Sequence, residues 1–104
     1  MTNFLLAYTG GAMETTPEQQ AAAMAAWGSW FGALGGAVVD GGNPVGSAIS
    51  LAADGSSTAR GTSGLTGYSI LAADSLAAAA DLAKGCPVLS SGGAVEVYEI
   101  IPAM

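Results

Sequence analysis

The clearest hydrophobic pattern lies in residues 67–101, where signals for a strand, a helix and a second strand follow one another. In residues 67–73, Tyr68 and Ile70 alternate with Ser69 and Leu71, as expected for a strand. Residues 94–101 alternate in the same way before Pro102. These two segments are predicted as strands on either side of a helix.

The helix between them has a start and a stop in the sequence. Asp74 or Ser75 is suited to cap its first turn, and Gly85 is suited to end it. Pro87 then disfavours further helix. A thin buried stripe is predicted at helical spacing, formed by Leu76, Ala79, Ala80 and Ala83.

The first half of the chain repeats this plan. Residues 3–8 form a short apolar run, and residues 37–41 form another. Between them Thr16 is a predicted N-cap, followed by Pro17 at the first helical position and Gln19 three residues after the cap. A core stripe is predicted on this helix, formed by Met24, Trp27, Phe31 and Leu34.

Two glycines inside the first helix call for a reason, because glycine costs about 1 kcal/mol relative to alanine in a helix interior. Gly28 and Gly32 lie four residues apart, on one face of the helix. They are predicted to allow close approach of another backbone.

The element order predicts a single domain over residues 1–104. Strand, helix and strand occur twice, and a variable hairpin is expected between residues 47 and 61. This order is the ferredoxin-like β-α-β-β-α-β plan, an α+β fold with an antiparallel sheet and helices on one sheet face. The other face is bare in a monomer.

Composition changes the picture by indicating a subunit interface. The chain is 51% hydrophobic and only 10% charged, whereas about a quarter of the residues are charged in an average domain. We therefore expect a homodimer through the bare sheet face.

The charge balance excludes several functions. Eight acidic residues stand against two basic ones, with no histidine. So few cations disfavour binding to nucleic acid or to an anionic membrane. Residues 19–39 carry no charge, but no Lys or Arg anchors flank them, so a transmembrane helix is not predicted. Cys86 is the single cysteine, which leaves no internal disulfide or thiolate metal cage. We expect no metal or cofactor. We expect a cytoplasmic location.

The segment GYSILAADSL followed by LAKGCPVL resembles the C-terminal half of YCII-related proteins, including their DGPF-like branch. The first helix and the GAVVDGGNP segment fit the same family. The resemblance implies a ferredoxin-like subunit that pairs into a dimeric α/β barrel, with a ligand-sized cleft between the sheet and the first helix. It also implies a His–Asp pair in some members, but this chain has no histidine and no DGPF motif. No catalytic residue is carried over.

Asp40 is the candidate catalytic residue. It ends a predicted strand just before Gly41, where a carboxylate can act as an acid or base in a cleft. The alternative is a turn residue that hydrogen-bonds local backbone. Cys86 is disfavoured as a nucleophile because it follows a helix C-terminus, whose negative end raises a thiol pKa.

Four aromatic residues are candidate ligand-binding residues. Trp27 and Trp30 lie on the first helix, and Trp30 is one position off the predicted core stripe. Tyr8 and Tyr68 lie on strands that are neighbours in this topology. Each also has an ordinary structural role, as a core tryptophan or as a tyrosine with its hydroxyl at the rim.

Three functions follow from these observations. The first is a homodimer that binds a small organic ligand in the cleft. The second is a cofactor-less lyase or isomerase in which Asp40 is buried within hydrogen-bond reach of Tyr8 or Tyr68. The third is a partner-binding adaptor, which is favoured if Trp27 and Trp30 fill the cleft themselves.

Overall fold

The fold is α+β, with a four-stranded antiparallel sheet and helices packed on one face. The computed structural model describes residues 1–11, 16–58 and 63–102. The elements are β1 (Thr2–Thr9), α1 (Pro17–Leu34), β2 (Val38–Asp40), β3 (Ser50–Leu51), β4 (Ser57–Thr58), β5 (Leu65–Ala73), α2 (Leu76–Ala83), α3 (Pro87–Ser90) and β6 (Ala94–Glu99).

The main sheet has the strand order β2-β5-β1-β6, and every pairing in it is antiparallel. This order is that of the ferredoxin-like plan, so the fold class predicted from the sequence is confirmed. Strands β3 and β4 form a separate two-stranded hairpin.

Both main helices begin as their sequences indicate. The Thr16 hydroxyl accepts a hydrogen bond from the Gln19 amide at 3.1 Å, with Pro17 in the first turn. Ser75, rather than Asp74, caps α2, since its hydroxyl accepts from the Ala78 amide at 3.1 Å. These caps satisfy amides that the first helical turn leaves without carbonyl partners.

The core lies between the helices and one face of the sheet. On β1, Phe4, Leu6 and Tyr8 alternate onto this face and are all buried. Leu71 lies opposite Phe4 on the neighbouring strand β5 and is also fully buried. This layer fixes which side of the sheet the helices cover.

The opposite side of the sheet, which we name the open face, carries two rows of residues across three strands. Ile70, Leu5 and Tyr98 are in register in one row. Tyr68, Ala7 and Glu96 form the other. Leu5 and Ile70 are only partly buried and Tyr98 is 49% exposed, so the apolar centre of this face is accessible to solvent.

The predicted helix stripes were partly wrong. Trp30 is the buried residue of α1, at 8% exposure, whereas Met24 is 76% exposed. On α2, Ala79 and Ala83 are buried as predicted, but Leu76 is 51% exposed. Helical spacing identifies a face but not its centre, and here the bulky Trp30 lies at the centre of the buried face.

Two further local predictions concern glycine and proline positions. A Cβ added at Gly28 or Gly32 would have no neighbour within 4 Å, so within one subunit no described backbone makes the predicted close approach to this face. Pro87 does not keep the chain irregular, because it occupies the first turn of the short helix α3. Proline is compatible with that position since its missing N–H has no helical partner there.

The hairpin is shorter than predicted. Residues 47–53 yield only the two-residue strand β3, which pairs with β4. Arg60 and the rest of residues 59–62 lie outside the described residues.

The molecule is thin, with extents of 44 × 42 × 18 Å. Because packed layers lie about 10 Å apart, the smallest extent is consistent with one sheet layer and one helix layer. Within the described ranges, no helix is long and apolar enough to cross a membrane.

Candidate functional site

The space between α1 and the sheet is filled by four aromatic side chains, which we name the aromatic cluster (Tyr8, Trp27, Trp30 and Phe31). The rings of Trp27 and Tyr8 meet edge to face, with 5.1 Å between centroids. Trp27 and Trp30 are 5.7 Å apart, and Trp30 and Phe31 are 5.1 Å apart. Such contacts stabilise a core beyond simple burial. The cluster therefore occupies the layer in which the ligand cleft was expected.

Trp30 ties the two main helices together. Its indole N–H donates a hydrogen bond to the Leu82 carbonyl at 3.2 Å, near the end of α2. The indole also lies against Gly85, where a Cβ would come within 3.1 Å of the ring. A side chain at Gly85 would therefore require the indole of Trp30 to shift by a few tenths of an ångström.

The Tyr8 hydroxyl is buried at the base of the aromatic cluster. It lies beside the Ser69 hydroxyl and the Cys86 thiol, close enough to interact with both, but it makes no hydrogen bond of standard geometry to any described residue. The Ser69 hydroxyl donates to the Gly41 carbonyl at 2.7 Å, which holds β5 to the chain after β2. Burial raises the pKa of Tyr8 above its ordinary value because the phenolate would lose its hydration.

Cys86 is an inert core thiol in this environment. It is 1% exposed and immediately precedes α3. Burial is the main cause that raises its pKa, in the direction expected from the sequence. A thiol that is both buried and more basic is a poor nucleophile.

Asp40 lies at the exposed end of β2. Its Oδ1 accepts a hydrogen bond from the Gly42 amide at 2.8 Å. This is the turn geometry that aspartate commonly adopts. The burial on which its proposed catalytic role depended is not found.

The structure does not bring the four predicted ligand-binding aromatics together. Tyr8, Trp27 and Trp30 share the aromatic cluster, whereas Tyr68 lies on the open face. The Tyr68 hydroxyl accepts a long hydrogen bond, 3.5 Å, from the Asn43 side-chain amide. The alternation of β5 already placed Tyr68 opposite Ser69, so the sequence contained the signal for this separation.

A groove of about 420 Å³ lies between the end of α1, the end of β5 and α2. We name it the apolar groove. Its lining residues are Met1, Gly36, Ala37, Ala72, Ala73, Asp74, Ala78, Asp81 and Leu82. It was not predicted from the sequence because alanine and glycine carry no chemical signal, and only the packing of three elements creates the space.

The two carboxylates of the apolar groove lie at its exposed rim. Asp81 forms an ion pair with Lys84, one turn on, at 3.0 Å. Both of these side chains are largely exposed, so the pair contributes little to stability. Over the ranges that the structure describes, no cluster of three His, Cys, Asp or Glu residues is placed to hold a metal ion.

Comparison with protein families places the whole chain in one of them. The model of the YCII-related domain matches residues 1–104. The chain belongs to the YCII-related domain family. Searches of curated proteins and of solved structures returned no match. Membership in this YCII-related family agrees with the ferredoxin-like strand order described above.

Proposed function

We propose that this YCII-related chain is a homodimeric domain that binds a small, largely apolar organic molecule in the apolar groove. The groove itself carries this proposal. Its volume of about 420 Å³ is large enough for a small organic molecule, and the groove is open to solvent along one side. Its floor of alanine side chains suits an apolar ligand, and its two rim carboxylates suit polar groups that remain near solvent.

The dimer part of the proposal rests on the open face. Leu5, Ile70 and Tyr98 form an apolar row across three strands, and no described element covers them. Two such faces stacked about 10 Å apart would make a common core. The single buried thiol, without a disulfide partner, fits a reducing compartment such as the cytoplasm.

Ligand binding is tested by filling the groove. Gly36 lines it, and a Cβ added there would have no neighbour within 4 Å, so Gly36→Leu is expected to fold and to occupy the space. Gly28→Leu is the matched control, since Gly28 is equally unobstructed but lies outside the groove. A library of small apolar compounds is screened by thermal shift against all three proteins.

The proposal expects at least one compound that raises the Tm of the wild type and of Gly28→Leu but not that of Gly36→Leu. Ligands that stabilise all three proteins equally would place binding elsewhere. No stabilising ligand for the wild type would count against a binding function.

Dimerisation is tested with two exposed apolar residues on opposite sides of the molecule. Tyr98 on the open face is 49% exposed, and Leu76 on the helix side is 51% exposed. Tyr98→Glu is expected to shift the mass seen by light scattering from dimer to monomer, whereas Leu76→Glu leaves a dimer. The opposite result would place the interface on the helices.

A partner-binding adaptor is the second candidate, and the aromatic cluster favours it. Trp27 and Trp30 fill the cleft beside α1 with their own side chains. A chain of this kind would bind another protein on its exposed surfaces rather than a small molecule in a cleft. It would show no ligand in the thermal-shift screen while remaining a dimer.

The geometry does not favour the lyase or isomerase that the sequence left open. Asp40 is exposed and its carboxylate serves a turn, while the Tyr8 hydroxyl is buried beside Ser69 and Cys86. A proton-transfer step needs its acid and base within reach of one substrate atom.

A further inference from the structure

The hairpin between β2 and β5 carries two highly exposed large aliphatic side chains. We name residues 46–58 the arm. Ile49 and Leu51 in the arm are 70% and 71% exposed. Being two residues apart in an extended segment, they lie on the same side. Together they form a small apolar patch, and an apolar patch marks a contact surface when it is part of a larger contiguous apolar area.

The arm does not fold back onto its own subunit. Its base is fixed to the sheet, where the Val45 amide donates to the Thr66 carbonyl at 3.0 Å and Pro44 bridges to Gly67. Beyond that point every arm residue is exposed except Ser50, which is intermediate. The radius of gyration is 15.1 Å, whereas a compact domain of this length has a value of about 13 Å.

The arm nevertheless has a defined turn. The Asp54 carboxylate accepts hydrogen bonds from the Ser56 amide at 2.9 Å and the Ser56 hydroxyl at 2.7 Å. Gly55 supplies the positive φ of 87° that the turn requires. An isolated two-stranded hairpin is only marginally stable in water, so a shaped arm with an apolar side calls for a covering surface.

The area of the open face bears on which surface covers the arm. The strands of the main sheet present a projected area of roughly 400 Å², at about 4.8 Å between strands and 3.3 Å per residue. A standard interface buries about 800 Å² per partner. The accessible area of a sheet face exceeds its projected area, so the open face supplies part of this figure. The arm continues from the β5 side of the same sheet, and a contact that includes both buries more accessible surface than the open face alone.

The low charge of the arm also favours the open face of a second copy as the surface that covers it. Asp54, at the tip, is the single charged residue in the arm sequence. The apolar side of the arm therefore matches another apolar surface, and the bare side of a second copy of this sheet supplies one.

We propose that the arm of each subunit packs against the other subunit, with Ile49 and Leu51 buried in the contact. This inference rests on the dimer of the proposed function, and it assigns the arm to the same interface. Since both side chains are exposed within one subunit, replacing them leaves the core of that subunit intact.

The test is sedimentation equilibrium of three full-length proteins. The first is the wild type, and the second is Ile49→Asp/Leu51→Asp. The third, Ala48→Asp/Ala52→Asp, places the same two charges on exposed small residues of the other side of the arm. We expect the dimer Kd to rise at least tenfold for the Ile49/Leu51 variant and less than threefold for the control.

The outcomes distinguish failure of the arm contact from failure of the dimer. A wild type that is monomeric at the highest concentration measured overturns both proposals. A dimeric wild type whose Kd is unchanged in the Ile49/Leu51 variant overturns the arm contact and leaves the dimer. Equal weakening by both variants also overturns it, because charge anywhere on the arm would then suffice.

Hydrogen exchange gives a second readout on the unmodified protein. The amides of residues 46–58 are expected to exchange more slowly above the dimer Kd than below it. Exchange in the arm that does not depend on protein concentration would contradict a buried arm.

Discussion

At the scale of single residues, the Tyr8 hydroxyl is the least satisfied group in the described core. A buried hydroxyl without a partner costs about 1–3 kcal/mol. Tyr8→Phe removes that oxygen and keeps the ring against Trp27. We expect it to raise the free energy of unfolding by about 1–2 kcal/mol, measured by urea denaturation.

Tyr68→Phe is the control for this change, because the Tyr68 hydroxyl has Asn43 as a partner and the residue is only partly buried. Its effect should stay within about 0.5 kcal/mol of zero, as for most surface substitutions. A loss of stability in Tyr8→Phe would show that its hydroxyl has a hydrogen-bond partner in the folded protein.

Tyr8 and Cys86 also predict how stability depends on pH. Burial raises both pKa values in the folded state, above ordinary values of 10.0 for Tyr8 and 9.0 for Cys86. The unfolded chain therefore loses these protons first as pH rises. The folded state then binds more protons than the unfolded state, so the free energy of unfolding falls with pH.

This stability is fully present below about pH 8 and falls from about pH 9 upward, by at most ~1.4 kcal/mol per pH unit for each group. Denaturation curves between pH 7 and pH 11 check it. Cys86→Ala should delay the decline to about pH 10, where Tyr8 begins to titrate in the unfolded chain. The neighbouring Glu96 carboxylate raises the pKa of exposed Tyr98 in the same direction, and this contribution remains in both proteins.

Gly42 is the position where the backbone admits no side chain. Its φ is +75°, and a Cβ there would overlap the Tyr68 carbonyl. Gly42→Ala is expected to destabilise the fold by more than about 2 kcal/mol, since both strain and a backbone clash oppose it. Gly46→Ala, with open space and no positive φ, should change stability by less than about 1 kcal/mol. Thermal unfolding of the two variants compares them directly.

At the scale of elements, the sequence predicted the order of strands and helices well because caps and alternation are local signals. The Thr16 cap, the strand from Gly67 and the strand from Ala94 were all found within two residues. Contacts between elements were harder to predict. Trp30 is buried because Leu82 in α2 and Gly85, two residues after α2, pack against its indole, and no spacing within α1 encodes that. The apolar groove escaped prediction for the same reason.

The glycines of α1 give an element-scale prediction. Gly28 and Gly32 are exposed helix positions where an added Cβ would meet no neighbour. Gly28→Ala and Gly32→Ala should each stabilise the helix by about 0.5–1 kcal/mol, seen as a higher Tm. If another copy approaches this face closely, as the sequence first suggested, the same variants would instead weaken the oligomer. Light scattering alongside the melting curve distinguishes the two results.

At the scale of the whole molecule, this apolar chain forms a thin, plate-shaped subunit. The smallest extent is 18 Å, and the open face and the arm leave Leu5, Ile70 and Leu51 at least partly exposed. The low content of charged residues first indicated an interface. In the structure, the excess apolar surface lies on the open face and the arm. Oligomeric state was predictable only as a tendency, because composition reports that apolar surface is in excess but not where it lies.

A dimer that holds this plate together makes its stability depend on concentration. Binding to the folded state alone stabilises it in proportion to the logarithm of partner concentration. The Tm of the wild type is therefore expected to rise by several degrees between about 1 µM and 100 µM protein, as domains of this size gain about 4–8 °C per kcal/mol. Tyr98→Glu, which places a charge in the apolar row of the open face, should melt at one temperature across the same range. A wild-type Tm that does not change with concentration, in a protein that light scattering shows to be dimeric, would mean that the subunits fold independently of their contact.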